Sequence, residues 1–219
     1  MIEYLLQREE NAPLARLSLR DFAHETASES PAPGGGSIAA YLGALGAALG
    51  TMVANLSSHK RGWDERWKEF SDQAEAGQRD LKRLLALVDE DTAAFTRVMT
   101  AFGLPKTSDE EKSARREAVQ AATRAATEVP FEVMQVALNS MTLIKAMAER
   151  GQESSVSDAG VAALCARSAV IGAFLNVKIN ASGLTDRAFA DDILARGATI
   201  EREAQALEAE ILAIVNGKI

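Results

Sequence analysis

The sequence predicts an all-α fold: a single-domain helical bundle of long antiparallel helices around a glycine-rich central helix. Three observations carry this. Apolar residues recur at three- and four-residue spacing, where a half-buried strand would alternate. Glycines and prolines cluster between these periodic runs. The length of 219 residues, 47% of them hydrophobic, suffices for one full apolar core and demands no second.

Taken in order, Ser18 with Asp21 and Phe22 predicts a short capped helix that stops before Pro31-Ala32-Pro33. The central helix is expected from about Ser37 to Ser57. It carries no charge, and Gly43, Gly46 and Gly50 lie inside it. Glycine costs helix propensity, so three at this spacing predict a second backbone in close approach, within the bundle or across a dimer. Richness in Gly, Ala, Ser and Thr favours a buried core helix over a membrane span. A long third helix is expected over 64–102, ending near Gly103 and Pro105. Thr107-Ser108 with Glu110 and Glu111 offers a capping box for a fourth over 108–150, kinked by Pro130 and stopped by Gly151. Ser157 is expected to cap a fifth helix reaching about Ala181, and Thr185 with Asp186 to open a last one ending at Asn216. No repeat, low-complexity tract or long linker divides the chain.

Composition excludes several functions. The net charge of −7, with acids and bases interleaved, leaves no basic stripe for a phosphate backbone, so nucleic acid is not an expected partner. One cysteine, Cys165, allows no internal disulfide and is expected as a small buried hydrophobe. Two distant histidines and that cysteine make no zinc cage, so no metal is expected. The start, Met1 to Glu10, lacks the pattern of a secretory signal, which predicts a cytoplasmic protein without a membrane partner.

Chemistry is expected from polar residues placed where the pattern calls for apolar ones. Asp91 falls on the helical stripe of Leu84, Leu87, Val88, Phe95, Val98 and Phe102; a desolvated carboxylate there has a raised pKa suited to acid/base work, or forms a buried ion pair. Asp89 lies about 200° round the helix, so it is expected to face Lys82 and solvent or the pocket rim. Gly34-Gly35-Gly36-Ser37 lets a ligand approach the backbone, and the free N–H groups of the next helix favour an anion or carbonyl oxygen. Asn176 and Asn180, one turn apart, present two amides on one face, for a heterocycle or for an interhelical hydrogen-bond network. Asp158 is most simply a dipole partner at a helix start, and His59-Lys60-Arg61 a solvated charge at a helix end. His24 is read as structural.

Pro31-Ala32-Pro33-Gly34-Gly35-Gly36-Ser37, Gly43 to Gly50, His59-Lys60-Arg61, Val88 to Phe95, Ser157-Asp158 and Asn176-Val177-Lys178-Ile179-Asn180 occur in this order through nearly the whole chain. Together they resemble the cyclodeaminase domain of formiminotransferase-cyclodeaminase and its stand-alone bacterial relatives, some of them methenyltetrahydrofolate cyclohydrolases. The resemblance implies an all-helical domain that dimerises through helix packing and uses no metal or organic cofactor beyond its tetrahydrofolate substrate, with or without a polyglutamate tail. It implies action on the N5/N10 bridge of that folate, by ammonia release from the 5-formimidoyl compound or by hydrolysis of the methenyl compound. Asp91 is then the expected acid/base, with Asp89 or Asp158 sharing protons. The glycine loop, Ser37, Asn176 and Asn180 would line the pterin site, and Lys60 and Arg61 would meet the glutamate tail. Where the family often carries a Gly-Asn stretch before Ser-Asp, this chain has Gly151-Gln152-Glu153-Ser154-Ser155-Val156, and no transferase domain is expected. A non-catalytic folate-binding or scaffold protein of the same shape is the alternative of a different class.

Overall fold

The computed structural model describes residues 14–219; the stretch that bears on the secretory-signal expectation lies outside them. Six α-helices follow one another: α1 (Leu19–Thr26), α2 (Gly35–Ser58), α3 (Trp67–Phe102), α4 (Asp109–Arg150), α5 (Val156–Ser182) and α6 (Arg187–Asn216), with single 3-10 turns at Asp64–Arg66 and Glu153–Ser155. No strand occurs among the described residues. The helix ends follow local chemistry. Ser18 accepts from the Asp21 amide at the start of α1, Ser108 and Glu111 form the expected capping box on α4, and Asp186 accepts from the Phe189 amide at α6. Ser157 does not cap α5, which begins one residue earlier, at Val156; its N-cap is Ser155, the last residue of the 3-10 turn, which makes no side-chain capping bond.

Helices α2, α3, α4 and α5 form a four-helix core, and α6 packs along the edge made by α4 and α5. Consecutive long helices run antiparallel, while α2 and α4 touch across the core. Close approach to α2 depends on its glycines: a Cβ at Gly46 would lie 2.9 Å from the Ala162 carbonyl oxygen of α5, and one at Gly43 would sit 3.0 Å from a Leu84 methyl of α3. Reciprocally, Gly77 of α3 leaves room for Thr51, and Gly172 of α5 admits Ala39. The inner faces close on fully buried Leu84, Leu87, Met134, Met141 and Ile144.

By length and composition, α2 and the segment Glu153–Ser182 are apolar enough to cross a membrane, yet 61% and 50% of their most apolar windows are buried inside the bundle. The expectation of core helices therefore holds for their inner faces. Their outer faces, on the side away from α4, stay open: Leu45, Met52 and Leu56 of α2 and Val161, Leu164, Leu175 and Ile179 of α5 are exposed.

Pro130 lies buried inside α4, which runs on through it. Proline has no N–H, so the carbonyl of Ala126, four residues back, loses its helical donor. Asn180 of α5 replaces it, donating from Nδ2 to Ala126 O at 2.7 Å. We therefore expect Asn180→Ala to destabilise the fold by about 1–3 kcal/mol, the cost of a buried carbonyl left unpaired. In a Pro130→Ala background, where the backbone N–H returns, the same change should cost much less. Urea unfolding of the two single variants and the double variant measures this coupling.

Candidate active site

The first turn of α2 is built for a close anion, and the anion is supplied by the protein itself. Helix α2 starts at Gly35, with Gly34 as an N-cap that offers no side chain. Its first N–H groups are thus left to outside acceptors. Asp91 of α3 fills this role: its Oδ2 accepts from Ser37 Oγ at 2.9 Å, and its carboxylate also accepts from the Ser37 backbone N–H. Only glycine fits beneath it, because a methyl group on Gly36 would fall inside the Asp91 carboxylate. Thr92 completes the cluster, its Oγ1 3.2 Å from Ser37 Oγ. Sequence reasoning missed Thr92; its adjacency to Asp91 was the available signal, but neighbours on a helix diverge by 100° and rarely serve one site.

The electrostatics follow from this placement. Burial pushes the Asp91 carboxyl above its ordinary value of 3.8, against the opposing pull of the Ser37 hydroxyl and amide, and no cation is among the groups that shift it. A half-buried carboxylate whose proton affinity burial raises is a candidate for acid/base work. The expected stripe continues on both sides of it, but only Leu84, Leu87 and Val88 are buried; Phe95 and Phe102 are 42% and 50% exposed. The reason is geometric: beyond Asp91, α3 overruns the start of antiparallel α2, so α2 no longer covers this face. Asp91 therefore stands where the core meets an open apolar mouth.

Asn176 of α5 joins this end. Its amide lies over Gly35, 3.5 Å from the position of a Cβ there, while Nδ2 donates to Gly172 O of its own helix. The other expected residues go elsewhere. Asn180 spends its amide nitrogen on Ala126 in a seam between α5 and α4. Asp89 does not face Lys82 and solvent as expected; it is half-buried, and Oδ1 accepts from the Leu14 backbone N–H at 2.9 Å, pinning the turn that precedes α1. Burial raises its pKa, against the Leu14 and Ala15 amides and the charge of Arg16.

Lys60, Arg61 and Asp158 lie at the opposite end of the bundle. At 1.5 Å per residue, Gly36 and Lys60 are roughly 35 Å apart along α2, and Asp158 is roughly 27 Å from Asn176 along α5. One chain does not bring them to Asp91. There, Lys60 Nζ sits 4.0 Å over the Trp63 ring, and a groove of about 610 Å³ runs between α2 and α3, lined by Met52, Asn55, Leu56, His59, Lys60 and Gln78 among others. Cys165 is half-buried, and burial pushes its thiol up. No group of three or more His, Cys, Asp or Glu able to hold a metal occurs among the described residues.

Known proteins resemble this chain over most of its length. A model of the formiminotransferase-cyclodeaminase family matches residues 18–199. The methenyltetrahydrofolate cyclohydrolase of Methylorubrum extorquens is 40% identical over 202 residues, covering 92% of this chain and 97% of the relative. The formimidoyltransferase-cyclodeaminase of Gallus gallus is 34% identical over 98% of this chain, which spans only 40% of that longer relative. The crystal structure of formiminotetrahydrofolate cyclodeaminase from Thermotoga maritima superposes with a TM-score of 0.82 at 29% identity, covering 92% of this chain and 97% of that one. A carboxylate seated on the glycine-opened start of a core helix is thus found in a chain that belongs to the formiminotransferase-cyclodeaminase family.

Proposed function

We propose that this protein is a folate one-carbon enzyme acting at the N5/N10 bridge of tetrahydrofolate, as a 5,10-methenyltetrahydrofolate cyclohydrolase. The observation that carries the chemistry is Asp91, desolvated and without a paired cation, at the first turn of α2. Hydrolysis is favoured because the cyclohydrolase from Methylorubrum extorquens matches end to end at 40% identity. Ammonia release from 5-formimidoyltetrahydrofolate is the second reading, supported by the end-to-end likeness to the Thermotoga maritima cyclodeaminase. Both reactions pass through a tetrahedral carbon bonded to N5 and N10, bearing a hydroxyl in one case and an amino group in the other, so one acid/base set serves both.

In the hydrolytic direction water adds to the methenyl carbon while ionised Asp91 accepts its proton. The resulting carbinol collapses to a formyl group on N10 as the bond from carbon to N5 breaks. Of the two water protons, one ends on N5, delivered by the Asp91 carboxyl, and the other is released. Ser37 and Thr92 hold the carboxylate in place, and Gly35, Gly36 and Asn176 shape the wall against which the pterin would lie. The same reading carries no further cofactor, a cytoplasmic setting and a homodimer.

Absorbance of the methenyl bridge tests the two activities directly. Purified protein should speed the loss of 5,10-methenyltetrahydrofolate over the uncatalysed rate; formation of that compound from the 5-formimidoyl substrate would instead establish the second reading, and neither would end both. Asp91→Asn should lower kcat by roughly 10²-fold or more. A base must be ionised, so kcat/KM should fall as pH drops through a value above 3.8 in the native protein, and this limb should vanish in Asp91→Asn. Stability has the opposite sign. The raised pKa means that ionising Asp91 costs the folded state, so stability declines as pH climbs from 3.8 through the raised value. Asp91→Asn should therefore unfold at neutral pH no earlier than the native protein, which thermal melts will show. Gly36→Ala should push the carboxylate off its seat and cut kcat comparably while far-UV circular dichroism stays helical.

A further inference from the structure

Ser37 is fully buried, so bulk water does not reach its hydroxyl, and the protein offers that hydroxyl two partners: Asp91 Oδ2 at 2.9 Å and Thr92 Oγ1 at 3.2 Å. A hydroxyl carries one proton. When Ser37 gives it to the Asp91 carboxylate, the bond between Ser37 and Thr92 can be made only by the Thr92 proton. The chain then has one direction, from Thr92 to Ser37 to Asp91, for as long as Asp91 is ionised. We propose that Thr92 is a positioning residue of this site, its hydroxyl donating to Ser37 Oγ and so committing the buried Ser37 proton to the Asp91 carboxylate. The inference rests on the reading of Asp91 as the acid/base group and deepens it, by giving the neighbouring threonine a part in deciding when that group is ionised.

This placement is not the default for a helical threonine. The next two on α3, Thr96 and Thr100, each donate to the carbonyl four residues back, both at 2.9 Å. Thr92 turns its hydroxyl across to α2 instead. The Ser37 hydroxyl has no third partner among the described residues, and Asn176, the other polar side chain at this end, has its amide nitrogen committed to Gly172 O. Charged groups do not take over the task. Helix α2 carries none, Asp89 of α3 faces the Leu14 amide with Arg16 beside it, and Lys178 of α5 lies over the Phe174 ring. No charged group from any element is among those that shift Asp91. Its ionised form is therefore held by neutral donors alone. Hydrogen bonds in a chain polarise one another, so a hydroxyl that accepts one bond donates the next more strongly. Loss of the Thr92 hydroxyl weakens the bond from Ser37, and the ionised carboxylate loses more by this than the neutral acid does.

The test reads Asp91 itself. Protein isotope-labelled at its aspartate carboxyls is titrated by NMR, with the Asp91 signal assigned by its absence in Asp91→Asn. Thr92→Val, which keeps the shape and removes the hydroxyl, should titrate about half a pH unit above the native protein. Ser37→Ala should titrate about one pH unit above it. The double variant should match Ser37→Ala, because Thr92 acts only through Ser37. Thr92→Ser, which keeps the hydroxyl, should titrate as the native protein does. A Thr92→Val signal that coincides with the native one would overturn the proposal, as would a Thr92→Ser signal that coincides with that of Thr92→Val. An undiminished shift when Thr92→Val is added to Ser37→Ala would overturn it too, since that is an effect of burial and not of the hydroxyl chain. In active protein the acid limb of kcat/KM should move with the titration in each variant. If the titrations follow this pattern and the chain turns over neither folate, the role of Thr92 stands and the folate reading falls.

Discussion

The structure depends on how closely three other helices approach the backbone of α2. A helix without charge and with glycine at 43, 46 and 50 can be touched by backbone and short side chains on several sides, and α3, α4 and α5 all do so. Larger residues there would hold the neighbours apart. Asp91 would then stand away from the first turn of α2, because its distance to Ser37 is set by the same α2 and α3 contact that Gly43 and Leu84 make further along. Packing density and site geometry are here one property.

Two backbone vacancies are filled by side chains, and the comparison separates structure from chemistry. Proline at 130 leaves the Ala126 carbonyl without a donor, and Asn180 supplies one. The donor and acceptor are neutral and matched, and nothing is left over to react. The first turn of α2 leaves N–H groups without acceptors, and Asp91 supplies a carboxylate. That partner is titratable, and desolvation outweighs the hydrogen bonds that hold it, so its proton affinity rises. The same kind of deficit has produced a neutral seam in one place and a titratable contact in the other.

Asp89 illustrates how position on a helix divides labour. It lies only two residues from Asp91, yet it points to the turn before α1 and caps the Leu14 amide. That bond ties the turn before α1 to α3. Phe22 packs tilted against Tyr41 with ring centroids 5.3 Å apart, which fastens α1 to the same region of α2. These contacts border the site end of the bundle.

Helix type, order and most boundaries were legible in the sequence because they rest on local rules: 3.6-residue periodicity, capping side chains at Ser18, Ser108 and Asp186, and glycines at helix ends. Asp91 was legible for a related reason, as a charge on an apolar stripe has few explanations. What the stripe could not reveal was where cover ends, since burial of Phe95 and Phe102 depends on where α2 begins, not on α3 itself. The paired asparagines looked alike at one-turn spacing, and only the tertiary neighbours separated them, Gly35 for one and the Ala126 carbonyl for the other. Lys60 and Asp158 looked like members of one pocket because sequence order carries no distance; a straight helix of 24 residues converts it into one that a single chain does not span. Local preference is written residue by residue along the chain, whereas a site is a meeting of surfaces, and only packing decides which surfaces meet.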